Sequence, residues 1–402
     1  MKIGIVSDMH LGYERFRADA YSQAKRALEM AAASCDMILI PGDVFDSRTP
    51  APDVIAEGIN LFREISKKEW KAHVLKYEAD RETYTDVPIV AVSGTHERTA
   101  IGRDNALRLL DLAGLLVDTS EARTTIQKGE EKIAVYGIGG VSEELFKSKI
   151  TELGVRPVIG VFNIFMFHQS LYEILPFNEQ FMRLDELPEG FDLYIDGHLH
   201  TKNEQNVHGK KFLVPGSTVI TQMKDAEQSS KGFIIFDTKT YSYEFVEIGS
   251  RPFVAQQANV SGKSGEEIRS ECSAIIESII KESNEPPIIR IKLEGELRPG
   301  ISNSDMSLKN MVARYSKSAF IEIDSSKITN KSMEEGIESV RSSKIRGESI
   351  KERGLDALNQ TLAGLGFSLS IKPGELMDLL TNSSKKEKFT DEILELLDSG
   401  SS

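Results

Sequence analysis

The sequence predicts an α/β protein in which two β-sheets stack face to face and helices flank them. Three observations carry that expectation. Eight apolar runs of strand length lie between residues 3 and 237. Several are apolar at every position, as strands covered on both faces are. Helical periodicities separate the early runs but not the later ones, which favours a sandwich over a single doubly wound sheet.

In chain order the runs are IGIV (3–6), MILI (37–40), PIVAV (88–92), KIAVYGI (132–138), VIGVFNIFMF (158–167), FDLYID (191–196), KFLVPG (211–216) and KGFIIFD (231–237). DAYSQAKRALEMAAA (19–33) and PDVIAEGINLFREI (52–65) read as the helices between the first three. Together they define an expected domain over residues 1–249. A small α+β capping domain is expected at 250–325. There Ser264 and Glu267 form a capping-box signature, and Ile268, Cys272, Ile275, Ile276, Ile279 and Ile280 share a helical stripe. PPIIRIKLEG (286–295) and SAFIEID (318–324) read as its strands. The polar stretch that follows sets a linker at 326–344, and residues 345–402 read as a helical tail. Its stripes, such as Leu355, Leu358 and Leu362, are too small for an independent core and suit a docking partner.

A length of 402 residues exceeds one ordinary core, in keeping with this division. Hydrophobic content of 40% and charged content of 28% are those of a typical soluble protein. No apolar run is long enough to span a bilayer, no membrane association is expected, and the cytoplasm is the expected compartment. Only Cys35 and Cys272 occur, so any metal must be held by oxygen and nitrogen. A formal charge of -13 argues against a surface broadly attractive to nucleic acid, although local basic groups and bound cations would offset it at a substrate site.

The apolar runs end in chemistry. KIGIVSDMHLG (2–12) finishes in Asp8 and His10, which would share a face of an extended chain. GDVFD (42–46), SGTHE (93–97), FMFHQS (165–170) and YIDGHLH (194–200) follow four other runs. Open α/β sheets keep ligands at the carboxyl ends of their strands, so five such endings point to one metal-binding rim. Carboxylates and imidazoles without sulfur suit Mn²⁺, Fe or Zn²⁺. Two aspartates and four histidines exceed the needs of one ion, and a carboxylate such as Asp43 can bridge a pair, the arrangement used to hydrolyse phosphate esters. SGKS (261–264) lacks the earlier glycine of a nucleotide loop, and YGIGG (136–140) reads as a turn.

These residues resemble the signature of the calcineurin-like metallophosphoesterase superfamily. Within it DMHLG, GDVFD, LPEGFDLYIDGHLH and VPGS (214–217) resemble the SbcD-like, meiotic recombination eleven family of DNA double-strand-break repair nucleases. The resemblance implies two divalent ions, most simply Mn²⁺. It implies that Asp8, His10, Asp43 and His200 hold one ion, and that Asp43, the residue at 95, His168 and His198 hold the other. His96 is implied to be a non-ligand that meets the scissile phosphate and protonates the leaving oxygen; adjacency in the sequence makes Glu97 a candidate orienting carboxylate. The family usually has asparagine where this chain has Thr95, whose hydroxyl is a shorter and poorer donor to a hard cation.

The resemblance further implies manganese-dependent 3′-to-5′ exonuclease and endonuclease action on DNA ends, hairpins and single-stranded overhangs. It also implies a Rad-fifty-type coiled-coil ABC ATPase docked on the tail, and a homodimer. Residues 52–65 and 103–116 are candidates for the dimer seam, where Leu107, Leu110 and Leu115 form either part of that seam or a face buried against the sheet. Arg15, Arg17, Arg98, Arg103, Lys202, Lys210 and Lys211 lie near the motifs as candidate phosphate contacts. Two other functions suit the same motifs: a scaffold that tethers DNA ends with weak catalysis, and a stand-alone small-molecule phosphodiesterase.

Overall fold

The computed structural model describes residues 1–78, 81–99, 103–175, 181–298, 306 and 308–329. The tail expected at 345–402 and most of the expected linker lie outside them. The chain divides into two compact units. The first comprises Met1–Gln256, Ile275–Ile291 and Val312–Glu322, and the second comprises Gln257–Ala274, Lys292–Met311 and the chain from Ile323.

The first unit contains the expected sandwich. One sheet has six strands, in spatial order Ser242–Glu247, Gly232–Asp237, Lys2–Ile5, Met37–Pro41, Ile89–Val92 and Val117–Asp118. The last four are mutually parallel, with Ile5 opposite Leu39 and Pro41 opposite Val92. The other sheet has eight strands, in the order Asn203–Val207, Lys210–Val214, Leu193–Asp196, Phe162–Phe167, Glu131–Ile138, Glu121–Lys128, His73–Glu78 and Arg81–Thr85. Its second to fifth strands are parallel.

Alternation along each strand explains how both faces are covered. Ile3, Ile5, Leu39, Val90, Val92 and Phe236 point inward and meet Ile133, Val135, Ile164, Met166, Ile195 and Leu213 of the facing sheet in one buried cluster. The intervening Ile38, Ile40, Ile89 and Ala91 join a second cluster with helices Arg17–Ser34, Pro52–Ser66 and Ala106–Leu112. Beyond the other sheet Phe165, Phe167, Tyr194 and Phe212 cluster with Phe146 of helix Glu143–Glu152. Strands buried on two sides carry no polar face, hence the uniform runs in the sequence. Glu121–Lys128, Asn203–Val207 and Ser242–Glu247 interleave polar residues and were not among those runs.

Leu107 and Leu110 are fully buried and Leu115 is 8% exposed, all in the cluster between helices and sheet, so they do not form an outward seam. The apolar side chains that the same segment exposes are Leu109 and Leu112. Among the described residues no helix is long and apolar enough to cross a membrane.

The remaining elements include a three-stranded sheet in the order Phe253–Asn259, Ile288–Glu296 and Phe320–Thr329, with helices Gly265–Glu282 and Leu308–Arg314. The capping box closes as the sequence suggests: Ser264 N donates to Glu267 Oε2 at 2.7 Å and Glu267 N donates to Ser264 Oγ at 3.3 Å. Ile268, Cys272, Ile276 and Ile279 form the buried stripe. The last strand continues to Thr329 rather than ending at Asp324, so the expected linker begins as strand. Its polar residues from Ser325 to Lys327 gave no strand signal.

Because Phe236 is fully buried between the sheets, Phe236→Ala is expected to cost about 3–5 kcal/mol. Urea denaturation followed by circular dichroism checks this value.

Candidate metal centre

The eight residues singled out by the sequence meet on one rim. Asp8 and His10 follow strand Lys2–Ile5, Asp43 follows Met37–Pro41, and Thr95 and His96 follow Ile89–Val92, all from the first sheet. His168 follows Phe162–Phe167, while His198 and His200 follow Leu193–Asp196, from the second. Parallel strands bring their carboxyl ends to the same side, which is why separate segments converge there.

The backbone at this rim is not the extended chain that the sequence suggested for Asp8 and His10. Lys2–Ile5 ends before them. Asp8, His10, Asp43 and His198 all adopt left-handed conformations, with φ of 50°, 47°, 48° and 70°. Such a conformation costs a non-glycine residue roughly 1 kcal/mol or more and persists where surrounding structure imposes it. Here neighbouring loops impose it: Asp8 N donates to Gly42 O at 3.2 Å, His10 N to Asp43 O at 3.0 Å and Leu11 N to Val44 O at 2.8 Å. Gly42 also takes a positive φ of 99°, and a Cβ there would lie 2.2 Å from His168 Nδ1. A Cβ on Gly94 would lie 2.0 Å from Asp43 Oδ1, so the SGTHE loop can approach only as glycine.

Asp43 sits at the centre. Its Oδ2 is 3.2 Å from His168 Nε2, and its Oδ1 accepts from His96 N at 2.9 Å. Asp8 Oδ1 lies 3.9 Å from His10 Nε2 and 3.8 Å from His200 Nε2. Each imidazole is anchored by one nitrogen. His168 Nδ1 meets Pro41 O at 2.8 Å, His10 Nδ1 meets Asp46 Oδ1 at 3.0 Å, and His200 Nδ1 meets Thr221 Oγ1 at 2.5 Å. The carbonyl and carboxylate acceptors place a proton on Nδ1 of His168 and His10 and leave Nε2 as the atom available to an ion, whereas the Thr221 hydroxyl can give or take the bond at His200 Nδ1. His198 is the reverse: Nε2 meets Ser170 Oγ at 2.9 Å and Nδ1 lies 3.4 Å from Thr95 Oγ1.

The electrostatics fit a cation site. Burial pushes the Asp8 carboxyl up to about 6 against the pull of His168. Burial acts to raise Asp43 as well, yet the adjoining His168 holds it well below the usual carboxylate range. Burial works to lower His168, but Asp43 outweighs it and carries the imidazole up to about 10. Burial and His168 push His198 down to about 4, while burial and His10 hold His200 far below its ordinary value.

Asp8 Oδ1 is buried without a hydrogen-bond partner, an arrangement that is costly unless something positive is shared with it. His10 Nε2 and His200 Nε2 lie 3.1 Å apart, close enough for both to reach one ion. Asp8 with His10 and His200, and Asp8 with Asp43 and His168, each place ligand atoms close enough to share an ion.

Several supporting residues escaped the sequence reading. Asp46 and Ser170 lay within quoted motifs without a role, and Thr221, Glu227 and Lys231 sit in segments with no metal-binding pattern. Glu97 does not orient His96. It is fully buried and accepts from Gly94 N at 2.8 Å and Phe45 N at 2.9 Å, tying two motif loops together, and burial together with Asp43 raises it to about 8. His96 Nδ1 instead meets the carbonyl of Asp46 at 2.8 Å. Four of the basic candidates are paired with acids: Arg15 with Glu322, Arg17 with Asp53 and Glu57, Lys210 with Asp192 and Lys211 with Glu204.

Oxygen and imidazole donors in this number suit divalent cations, and cations so held are a means of hydrolysing phosphate esters. The fold and the rim thus define a metal-dependent phosphoesterase. Residues 1–202 match the family model for calcineurin-like phosphoesterases, and the chain belongs to that family. It is similar to "Double-strand break repair protein MRE11" of Oryza sativa subsp. indica, at 24% identity over 73% of this chain and 51% of that protein. "DNA double-strand break repair protein Mre11" of Archaeoglobus fulgidus is 26% identical over 62% of this chain and 60% of that protein. The protein of the same description from Saccharolobus solfataricus is 24% identical over 77% of this chain and 80% of its own length. The chain thus spans about half the length of the rice relative.

Proposed function

We propose that this chain is a manganese-dependent DNA nuclease that processes double-strand-break ends, hairpins and overhangs as exonuclease and endonuclease. The observation that carries the reading is the buried, unpartnered Asp8 Oδ1, within reach of the ligand atoms of His10 and His200 and of those of Asp43 and His168. Similarity to double-strand break repair proteins over most of the chain supports DNA as the phosphodiester substrate.

In this reading Asp8, His10, Asp43 and His200 hold one ion, and Asp43, Thr95, His168 and His198 hold the other. Ions bound there supply Lewis acidity toward water and neutralise charge on the phosphate. The chain's own residues do the rest. Asp43 is fixed by His96 N and set against His168, so one carboxylate faces both groups of ligands. The Nδ1–H of His96 donates to Asp46 O, and in the doubly protonated form of this half-exposed ring Nε2–H hands its proton to the departing sugar oxygen, returning the ring to the neutral Nδ1–H tautomer. Residues 345–402 are proposed as the docking segment for a Rad-fifty-type coiled-coil ABC ATPase. A homodimer is proposed through the helices near the motif loops, where Leu109 and Leu112 are the exposed apolar pair.

Three measurements check this reading. His96→Ala should reduce cleavage of labelled hairpin and blunt DNA at least about 100-fold, with Mn²⁺ binding unchanged; turnover at the natural rate would remove His96 from catalysis. Thr95→Asn should tighten the second Mn²⁺ by about tenfold, the scale on which a ligand's surroundings alter affinity; two equally tight ions in both proteins would show that Thr95 weakens nothing. Deletion of residues 345–402 should abolish co-purification with the ATPase, and undiminished binding would place the partner elsewhere.

A further inference from the structure

Three polar side chains outside the proposed ligand set meet behind His200. Lys231, 2% exposed, donates to His200 O at 2.9 Å, Ser217 Oγ at 2.9 Å and Glu227 Oε1 at 3.1 Å. All three protons of its ammonium are thereby used. Glu227, 3% exposed, also accepts from the backbone N–H of Thr221 at 3.2 Å and of Gln222 at 2.7 Å. Thr221 completes the arrangement with Oγ1 at 2.5 Å from His200 Nδ1. The same loop reaches the first aspartate, since Thr218 N donates to Asp8 O at 3.3 Å.

A buried lysine–glutamate pair is a poor means of gaining stability. The cost of removing both charges from water offsets most of their attraction, and uncharged replacements of similar volume are often neutral or stabilising. The placement of this pair gives it a different purpose. It secures the His200 main chain on one side and, through the backbone of Thr221, the ring on the other. It also brings no net charge to a pocket that must admit cations.

We propose that Lys231, Glu227 and Thr221 form a positioning brace that turns His200 Nε2 into the pocket and thereby sets the affinity of the ion shared with Asp8 and His10. The inference rests on the reading that His200 is an ion ligand. An imidazole can present one nitrogen to a cation only while the other is held, and loss of such a hold typically weakens metal affinity by about 10–100-fold.

The test is Mn²⁺ binding to the full chain, by calorimetry and by the electron paramagnetic resonance signal of free Mn²⁺. The natural chain should take two ions. Lys231→Met combined with Glu227→Gln leaves the net charge unchanged. It should keep one ion at its natural affinity and weaken the other by about 10–100-fold. Thr221→Val, which removes only the hydroxyl contact, should act in the same direction, and Thr221→Ser should restore binding. A purely structural role would lower the melting temperature without separating the two ions. If the double variant does not fold, the Thr221 pair decides. Two ions at natural affinity in Thr221→Val would overturn the brace and leave the nuclease reading standing, whereas a natural chain that takes up no Mn²⁺ would overturn both.

Discussion

The rim depends on one carboxylate held out of water. Asp43 receives the His10 amide on its carbonyl, the His96 amide on Oδ1 and His168 Nε2 at 3.2 Å from Oδ2. Three segments that are remote in sequence therefore take their register from a single residue. An ionised carboxylate is expensive to bury unless positive partners surround it. The imidazoles and amides gathered around Asp43 meet that requirement, and the same crowding gives the pocket its appetite for cations.

Neither sheet could build this rim by itself. The aspartates, His10 and the threonine–histidine pair come from the six-stranded sheet, whereas His168, His198 and His200 come from the eight-stranded one. The buried cluster between the sheets, from Ile3 and Val92 to Met166 and Ile195, fixes the distance across which the two sets face each other. Well-packed interiors do not deform continuously, so side-chain volumes far from the chemistry determine the separation of Asp43 from His168. The loop 217–231 adds a second connection, joining the segment after His200 to Asp8 and to the buried Lys231–Glu227 pair.

Much of this was readable in the sequence, and the failures have physical causes. Strands covered on both faces announce themselves as unbroken apolar runs, and five of them deliver the residues of the rim directly. Strands such as Glu121–Lys128 and Asn203–Val207 carry polar side chains and were passed over, as was the polar end of Phe320–Thr329. Leu107, Leu110 and Leu115, which the sequence leaves open to a dimer seam or to burial against the sheet, are buried, because an apolar stripe on a helix marks whichever side is covered. Ligand residue types could be found by their position after strands. Their supports could not: Asp46, Thr221, Glu227 and Lys231 matter through orientation, and orientation leaves no mark on residue order. Glu97 shows the same limit, since adjacency to His96 suggested a partnership that the fold gives to Asp46.

The left-handed backbone at Asp8, His10, Asp43 and His198 has a consequence for how this pocket can vary. Besides glycine, the residues that tolerate such a conformation best are asparagine, aspartate and histidine, and these are also good donors to hard or borderline metals. The main chain thus restricts the chemical alphabet at those four places before any selection for catalysis acts. Position 95 is free of that filter: Thr95 is absent from the left-handed set, and a β-branched side chain is sterically acceptable there. Loss of a good ligand therefore meets no backbone filter at position 95, nor at His168 and His200.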